Sequence, residues 1–121
     1  MATKSDQVTI YHNPNCNSSV NAVKIAEELG VSADIVLYLK TPPDAATLRD
    51  IIGKLEDPVT DLVRRDANFE KLGLSDADVA TADQVVDMLV RHKALLQRPL
   101  VVTPNKAIIG RPKDRVRELL A

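Results

Sequence analysis

Apolar residues recur along this chain with two different periods. Val8, Ile10 and Tyr11 make a short β-type run. Ala22, Ile25, Ala26 and Leu29 then fall at i, i+3, i+4 and i+7, the spacing of one helix face. This predicts a strand over 8–11 and a helix over 17–29, with Gly30 as its stop. Asp34 to Leu39 is again strand-like, around the run Ile35-Val36-Leu37. A strand–helix–strand unit of this kind is normally parallel and right-handed.

Thr41-Pro42-Pro43 breaks that pattern. Asp44 is placed to cap a helix whose face is Leu48, Ile51, Ile52 and Leu55. Pro58 opens a short helical segment through Leu62 and Val63, and another piece runs from Phe69 to Leu72 and ends at Gly73. Thr81-Ala82-Asp83-Gln84 has the form of a capping box, and the helix it opens lines up Ala82, Val85, Val86 and Leu89. No strand is expected in this block. After Gln97-Arg98-Pro99, the runs Leu100–Thr103 and Ala107–Gly110 flank Pro104-Asn105-Lys106, which predicts a hairpin. Pro112 suits the first turn of a last helix, with Val116, Leu119 and Leu120 inward. Residues 1–6 read as a loose polar tail. The expectation is an α/β fold forming one domain over 1–121. It has a mixed four-stranded sheet in the thioredoxin-like arrangement, with a helical region inserted at about 42–95.

Composition narrows the function. Of 121 residues 45% are hydrophobic, enough for a core, which Leu, Val, Ile and Ala must fill because Trp is absent and Tyr11, Tyr38 and Phe69 are the only aromatics. A net charge of −1 gives no global field toward nucleic acid or a membrane surface. No stretch approaches membrane-spanning length, and the first residues are polar rather than signal-like. A single cysteine excludes an internal disulfide. The cytoplasm is the expected compartment. A monomer is expected, since no extended apolar stripe is left once the core is assigned.

The candidate chemistry centres on that cysteine. Cys16 follows a strand, stands among Asn and Ser, and precedes an amphipathic helix. A helix N-terminus favours a thiolate, the form that attacks electrophiles. A lone cysteine also serves as a small buried hydrophobe, but these polar neighbours do not suit a core position. The tetrad Cys16-Asn17-Ser18-Ser19 is C-x-x-S. With no second thiol, turnover through Cys16 needs an external one. Ser19 is placed to hydrogen-bond the thiolate or simply to start the helix; His12 is placed to depress the thiol pKa or to satisfy a backbone group. Arg98 and Arg111 both precede prolines at β-run boundaries, and Arg64-Arg65 ends a short helical segment. Guanidinium forks converging on a thiolate would bind tetrahedral oxyanions. Two distant histidines and one cysteine do not make a zinc site. The four scattered glycines make no phosphate-cradling loop.

His12-Asn13-Pro14-x-Cys16-x-x-Ser19 resembles the active-site loop of the glutaredoxin-linked bacterial arsenate reductases. Further matches follow in order: Leu37-Tyr38-Leu39 with Pro42-Pro43, Leu62-Val63-Arg64, Lys71-Leu72-Gly73-Leu74, Arg98-Pro99-Leu100-Val101-Val102-Thr103-Pro104 and Gly110-Arg111-Pro112. The resemblance implies a thioredoxin-like fold in which Cys16 attacks arsenate. It implies that Arg64, Arg98 and Arg111 bind the oxyanion, that His12 and Ser19 support the thiolate, and that Pro99 is a cis-proline facing the cysteine loop. It also implies an external thiol such as glutathione as co-substrate, a glutaredoxin-type partner to clear the mixed disulfide, and no bound metal or cofactor. The family pattern commonly continues Ser-Arg, whereas Val20 follows Ser19 here, so one positive group is missing; Lys24 lies one turn further on. Two other readings share the fold. One is an Spx-type transcription regulator binding RNA polymerase, whose usual cysteine pair this chain lacks. The other is a thiol oxidoreductase with a different substrate.

Overall fold

In a computed structural model, residues 8–111 and 114–120 are described. The tail expected over 1–6 and the helix-opening position of Pro112 lie outside the described residues. β1 (Val8–His12), α1 (Asn17–Glu28) and β2 (Ala33–Leu37) form the expected strand–helix–strand unit. β1 and β2 pair in parallel, with Val8 opposite Ala33 and His12 opposite Leu37. β3 (Leu100–Val102) runs antiparallel to β1, and β4 (Ala107–Ile109) antiparallel to β3. The sheet order is β2-β1-β3-β4, a mixed four-stranded sheet. β2 ends two residues earlier than its apolar run suggested. The chain turns there, since the N–H groups of Lys40 and Thr41 both donate to the Leu37 carbonyl at 2.9 Å. That turn carries Tyr38 into full burial.

Strand alternation distributes the core over both faces. Val8 and Ile10 of β1, Val101 of β3 and Ile108 of β4 pack with Ala22, Ile25 and Ala26 of α1 and with Val116 of α5 (Asp114–Leu120). Tyr11, Leu100, Val102, Ala107 and Ile109 face the opposite way. They meet the elements between β2 and β3, which explains why β3 and β4 read as continuous apolar runs. Those elements are α2 (Ala45–Gly53), α3 (Ala67–Lys71), α4 (Ala82–Arg91) and three short 3-10 turns.

Local signals start these helices where they were expected. The Asp44 carboxylate accepts the Thr47 N–H at 2.8 Å. The Thr81 hydroxyl and the Gln84 side chain form a reciprocal capping box. α2 buries Leu48 and Ile51, and α4 buries Val85, Val86, Met88 and Leu89. Gly30 and Gly73 end α1 and α3 with φ of 71° and 70°, a conformation that favours glycine.

The region between β2 and β3 makes one contact with the sheet that periodicity did not predict. Residues 54–57 run along the outer edge of β4. The Ala107 N–H donates to the Lys54 carbonyl at 2.9 Å, and the Glu56 N–H donates to the Ala107 carbonyl at 2.9 Å. One step further the Asp57 carboxylate, at 3.0 Å, accepts the Ile109 N–H in place of a strand carbonyl. An edge that would otherwise be open to pairing is thereby covered.

Candidate active site

Cys16 is the N-cap of α1, with extended backbone dihedrals of −108° and 120°. Its N–H donates to the Asn13 carbonyl at 3.0 Å, closing the loop that carries it. The Asn13 side chain accepts the Asn15 N–H at 2.9 Å. Asn13 is itself buried, one of few polar side chains to be so. This loop is short because β1 must hand over directly to α1, and its Asn and Pro residues supply the turn chemistry.

Two arginines reach the sulfur from the far end of the chain. Arg111 Nη2 lies 3.3 Å from Cys16 Sγ, and Arg111 Nε donates to the Arg98 carbonyl at 2.8 Å. The Arg98 side chain acts on the thiol as well, lowering its pKa. Its Nε is buried with no hydrogen-bond partner among the described residues. The Arg98–Pro99 peptide is cis, as expected.

These contacts set the state of the thiol. Burial pushes the Cys16 pKa up and is the largest single influence. The N–H of Ser19, the Arg98 side chain, the N–H of Ser18 and the Arg111 charge together outweigh it, so the thiol is held below its ordinary value. Cys16 is 8% exposed. The sulfur is therefore held mostly out of water, which strengthens every charge interaction it makes.

Ser19 and His12 are brought together, in a different manner from the one expected of Ser19. Its hydroxyl lies 2.7 Å from His12 Nδ1 and accepts the Asn13 N–H at 2.9 Å. Its backbone N–H, not its hydroxyl, serves the sulfur. Burial holds the His12 pKa below its ordinary value, with a backbone contact to Ser19 working the other way. A neutral ring with its proton on Nε2 would accept the Ser19 O–H. Ser19 is fully buried, so this bond ties the cysteine loop to β1.

The remaining expected residues stand apart. Arg64 faces Asp66 at 3.7 Å and donates its backbone N–H to the Leu95 carbonyl at 2.8 Å. No hydrogen bond joins it to Cys16 among the described residues. Lys24 is exposed and is not among the groups acting on the sulfur. Val20 is half-buried, and its N–H donates to the Cys16 carbonyl.

Asp57, Gln97 and Arg115 were not singled out from the sequence, and Arg65 only as the neighbour of Arg64, yet they line a cleft of about 400 Å³ bordered by Arg111. Arg65 is stapled down by the carbonyls of Thr60 and Val63 and lies over the Phe69 ring, 5.7 Å from its centroid. A repeated Arg-Arg pair offers no signal as to which member turns inward.

Gly110 fixes the approach of Arg111. A Cβ there would come within 2.7 Å of the Pro99 ring and 2.8 Å of a Val116 methyl. Neither is the far end of a flexible chain. Gly110→Ala is therefore expected to destabilise by about 1–3 kcal/mol, as overpacking does. Gly53→Ala, with nothing within 4 Å, is the control expected not to destabilise. Thermal melting of both variants checks this.

The fold and site together define a thioredoxin-like protein whose single cysteine stands at a helix start, with its pKa lowered by backbone N–H groups and two arginines. The ArsC family pattern matches residues 11–119. The chain is 36% identical to an arsenate reductase of Neisseria meningitidis over 116 residues, covering 94% of this chain and 98% of that one. It is 39% identical over 116 residues to the uncharacterized protein YfgD of Escherichia coli strain K12, covering 94% and 97%. A solved arsenate reductase from Vibrio cholerae superposes with a TM-score of 0.82 at 30% identity, covering 93% of this chain and 97% of that one. This protein belongs to the ArsC family, that of the arsenate reductases. Among the described residues, no helix is long and apolar enough to cross a membrane, and no group of three His, Cys, Asp or Glu gathers to hold a metal ion.

Proposed function

We propose that this protein reduces arsenate to arsenite through Cys16, using an external thiol. The observation that carries the reading is that Arg98 and Arg111 both act on one buried sulfur, while the buried Nε of Arg98 has no hydrogen-bond partner among the described residues. A buried N–H without a partner is costly. A tetrahedral oxyanion on the sulfur would satisfy it, and Arg111 would hold a second oxygen. Arg64 enters the anion site on family resemblance alone.

The Cys16 thiolate attacks arsenic(V) and displaces one oxygen as water, giving a sulfur–arsenic adduct. A low-molecular-weight thiolate such as glutathione then attacks the Cys16 sulfur. The electron pair of the sulfur–arsenic bond stays with arsenic, which leaves as arsenite, arsenic(III). The resulting mixed disulfide is reduced by a glutaredoxin-type protein, which restores the thiol. No bound metal or cofactor takes part. The cleft beside Arg111 offers the incoming thiol a path of both charge signs, through Asp61 and Arg115.

Purified protein supplied with glutathione and a glutaredoxin is expected to form arsenite at a rate proportional to enzyme. No arsenite with any thiol donor would overturn the proposal. Val20 keeps one other reading in play. Without the usual arginine the site holds less positive charge, which suits a less highly charged thiol-linked substrate. Val20→Arg is the comparison to make: on the arsenate reading it should lower the KM for arsenate.

A further inference from the structure

We propose that Asp57 and Arg115 are positioning residues that hold Arg111 against the Cys16 sulfur. The proposal rests on Cys16 being the reacting thiol, but not on which substrate it attacks. Asp57 comes from the region between β2 and β3, and Arg115 from α5, 58 residues further along. Their ion pair is close, at 2.6 Å, and only partly exposed.

Both residues grip the same short stretch of backbone. One Asp57 oxygen accepts the Ile109 N–H, and the other accepts from Arg115 Nη1. Arg115 Nη1 also donates to the Ile109 carbonyl at 3.0 Å and to the Arg111 carbonyl at 3.4 Å. The Gly110 N–H between them donates to the Pro99 carbonyl at 2.8 Å. Residues 109–111 are thus held from three sides, and the Arg111 side chain leaves this stretch toward the sulfur. The pair also walls the cleft beside Arg111. Among the described residues, the charged and titratable groups around the sulfur are Arg98, Arg111 and, at the end of β1, His12.

The sign of one measurement separates positioning from plain electrostatics. Asp57→Asn keeps an oxygen for the Ile109 N–H but removes the charge that holds Arg115. Taken as a charge alone, losing an anion near the site favours the thiolate and lowers the thiol pKa. If Asp57 acts by holding Arg111 in place, the thiol pKa rises instead. The test is the pH profile of Cys16 alkylation by iodoacetamide. Its midpoint is expected to rise by about half a unit to one unit in Asp57→Asn, part of what a charge-assisted contact contributes. In an Arg111→Ala background the same substitution is expected to add no further rise, and Asp57→Glu should restore most of the wild-type profile. Should Asp57→Asn fail to fold, Arg115→Lys, which keeps the charge and alters the reach, is expected to show the same rise. An unchanged or lowered midpoint in a folded variant, or a rise that persists without Arg111, would overturn the proposal. Arsenate turnover is not needed for any of these readouts, so a failure of the arsenate reading leaves them interpretable.

Discussion

Cys16→Ser is expected to abolish arsenite formation, leaving only the background reaction of free thiol with arsenate. The hydroxyl of serine has no group here to remove its proton. The surroundings favour an anion through N–H donors and guanidinium groups, and among the described residues no hydrogen bond joins the sulfur to a group able to act as a base. His12 is occupied with the Ser19 hydroxyl and points its contact there. A thiol needs no base once its pKa is lowered, whereas an alcohol does. The variant should keep its fold, since sulfur and oxygen differ little in size and Cys16 contributes no side-chain cap to α1. Arsenite assayed over time, beside a circular dichroism melt, checks both halves. Residual thiol-dependent turnover in a folded Cys16→Ser protein would place the chemistry elsewhere.

The second large effect concerns the arginines. Arg98→Ala and Arg111→Ala are each expected to lower kcat/KM for arsenate by about tenfold to more than a hundredfold. That is the worth of one hydrogen bond to a charged group, about 1.5–3 kcal/mol. Arg98 should be the more severe. Its side chain lowers the thiol pKa, its buried Nε has no hydrogen-bond partner among the described residues, and its carbonyl anchors Arg111 Nε. Removing its side chain therefore loosens the second arginine if the backbone shifts. The two substitutions should not be additive, because their groups share one anion and one hydrogen bond. Arg117→Ala supplies the surface control: that residue pairs with exposed Glu28 far from the sulfur and should change kinetics little. Equal kinetics for Arg98→Ala and Arg117→Ala would remove Arg98 from the anion site.

Much of this architecture was readable residue by residue, for a physical reason. Caps are local, so Asp44 and the Thr81–Gln84 box announced their helices within four residues. Strands buried on both faces must be apolar throughout, so β3 and β4 stood out as runs. The cysteine loop was legible because a strand end, a turn and a helix start fall within eight residues. What stayed hidden was whatever depends on a distant partner or a rotamer. Asp57 looked like an ordinary residue before a proline, yet its partners lie 52 and 58 residues away. The direction of the Ser19 hydroxyl is decided by His12 Nδ1 and the Asn13 N–H, which no spacing rule encodes. Arg64 and Arg65 adjoin in sequence but turn to different neighbours, Asp66 for one and the Thr60 and Val63 carbonyls for the other. The short turns at Asp76–Val79 and Lys93–Leu95 are too brief to leave a period.

The sulfur and the guanidinium that bonds it are 95 residues apart in the chain. During synthesis the cysteine leaves the ribosome long before either arginine exists, and a half-made chain carries only an everyday thiol. Reactivity therefore arrives late, as a property of the nearly finished polypeptide. A nascent or truncated molecule ending before Arg98 would lack both guanidinium groups, and its thiol would react only as that of an ordinary cysteine peptide does.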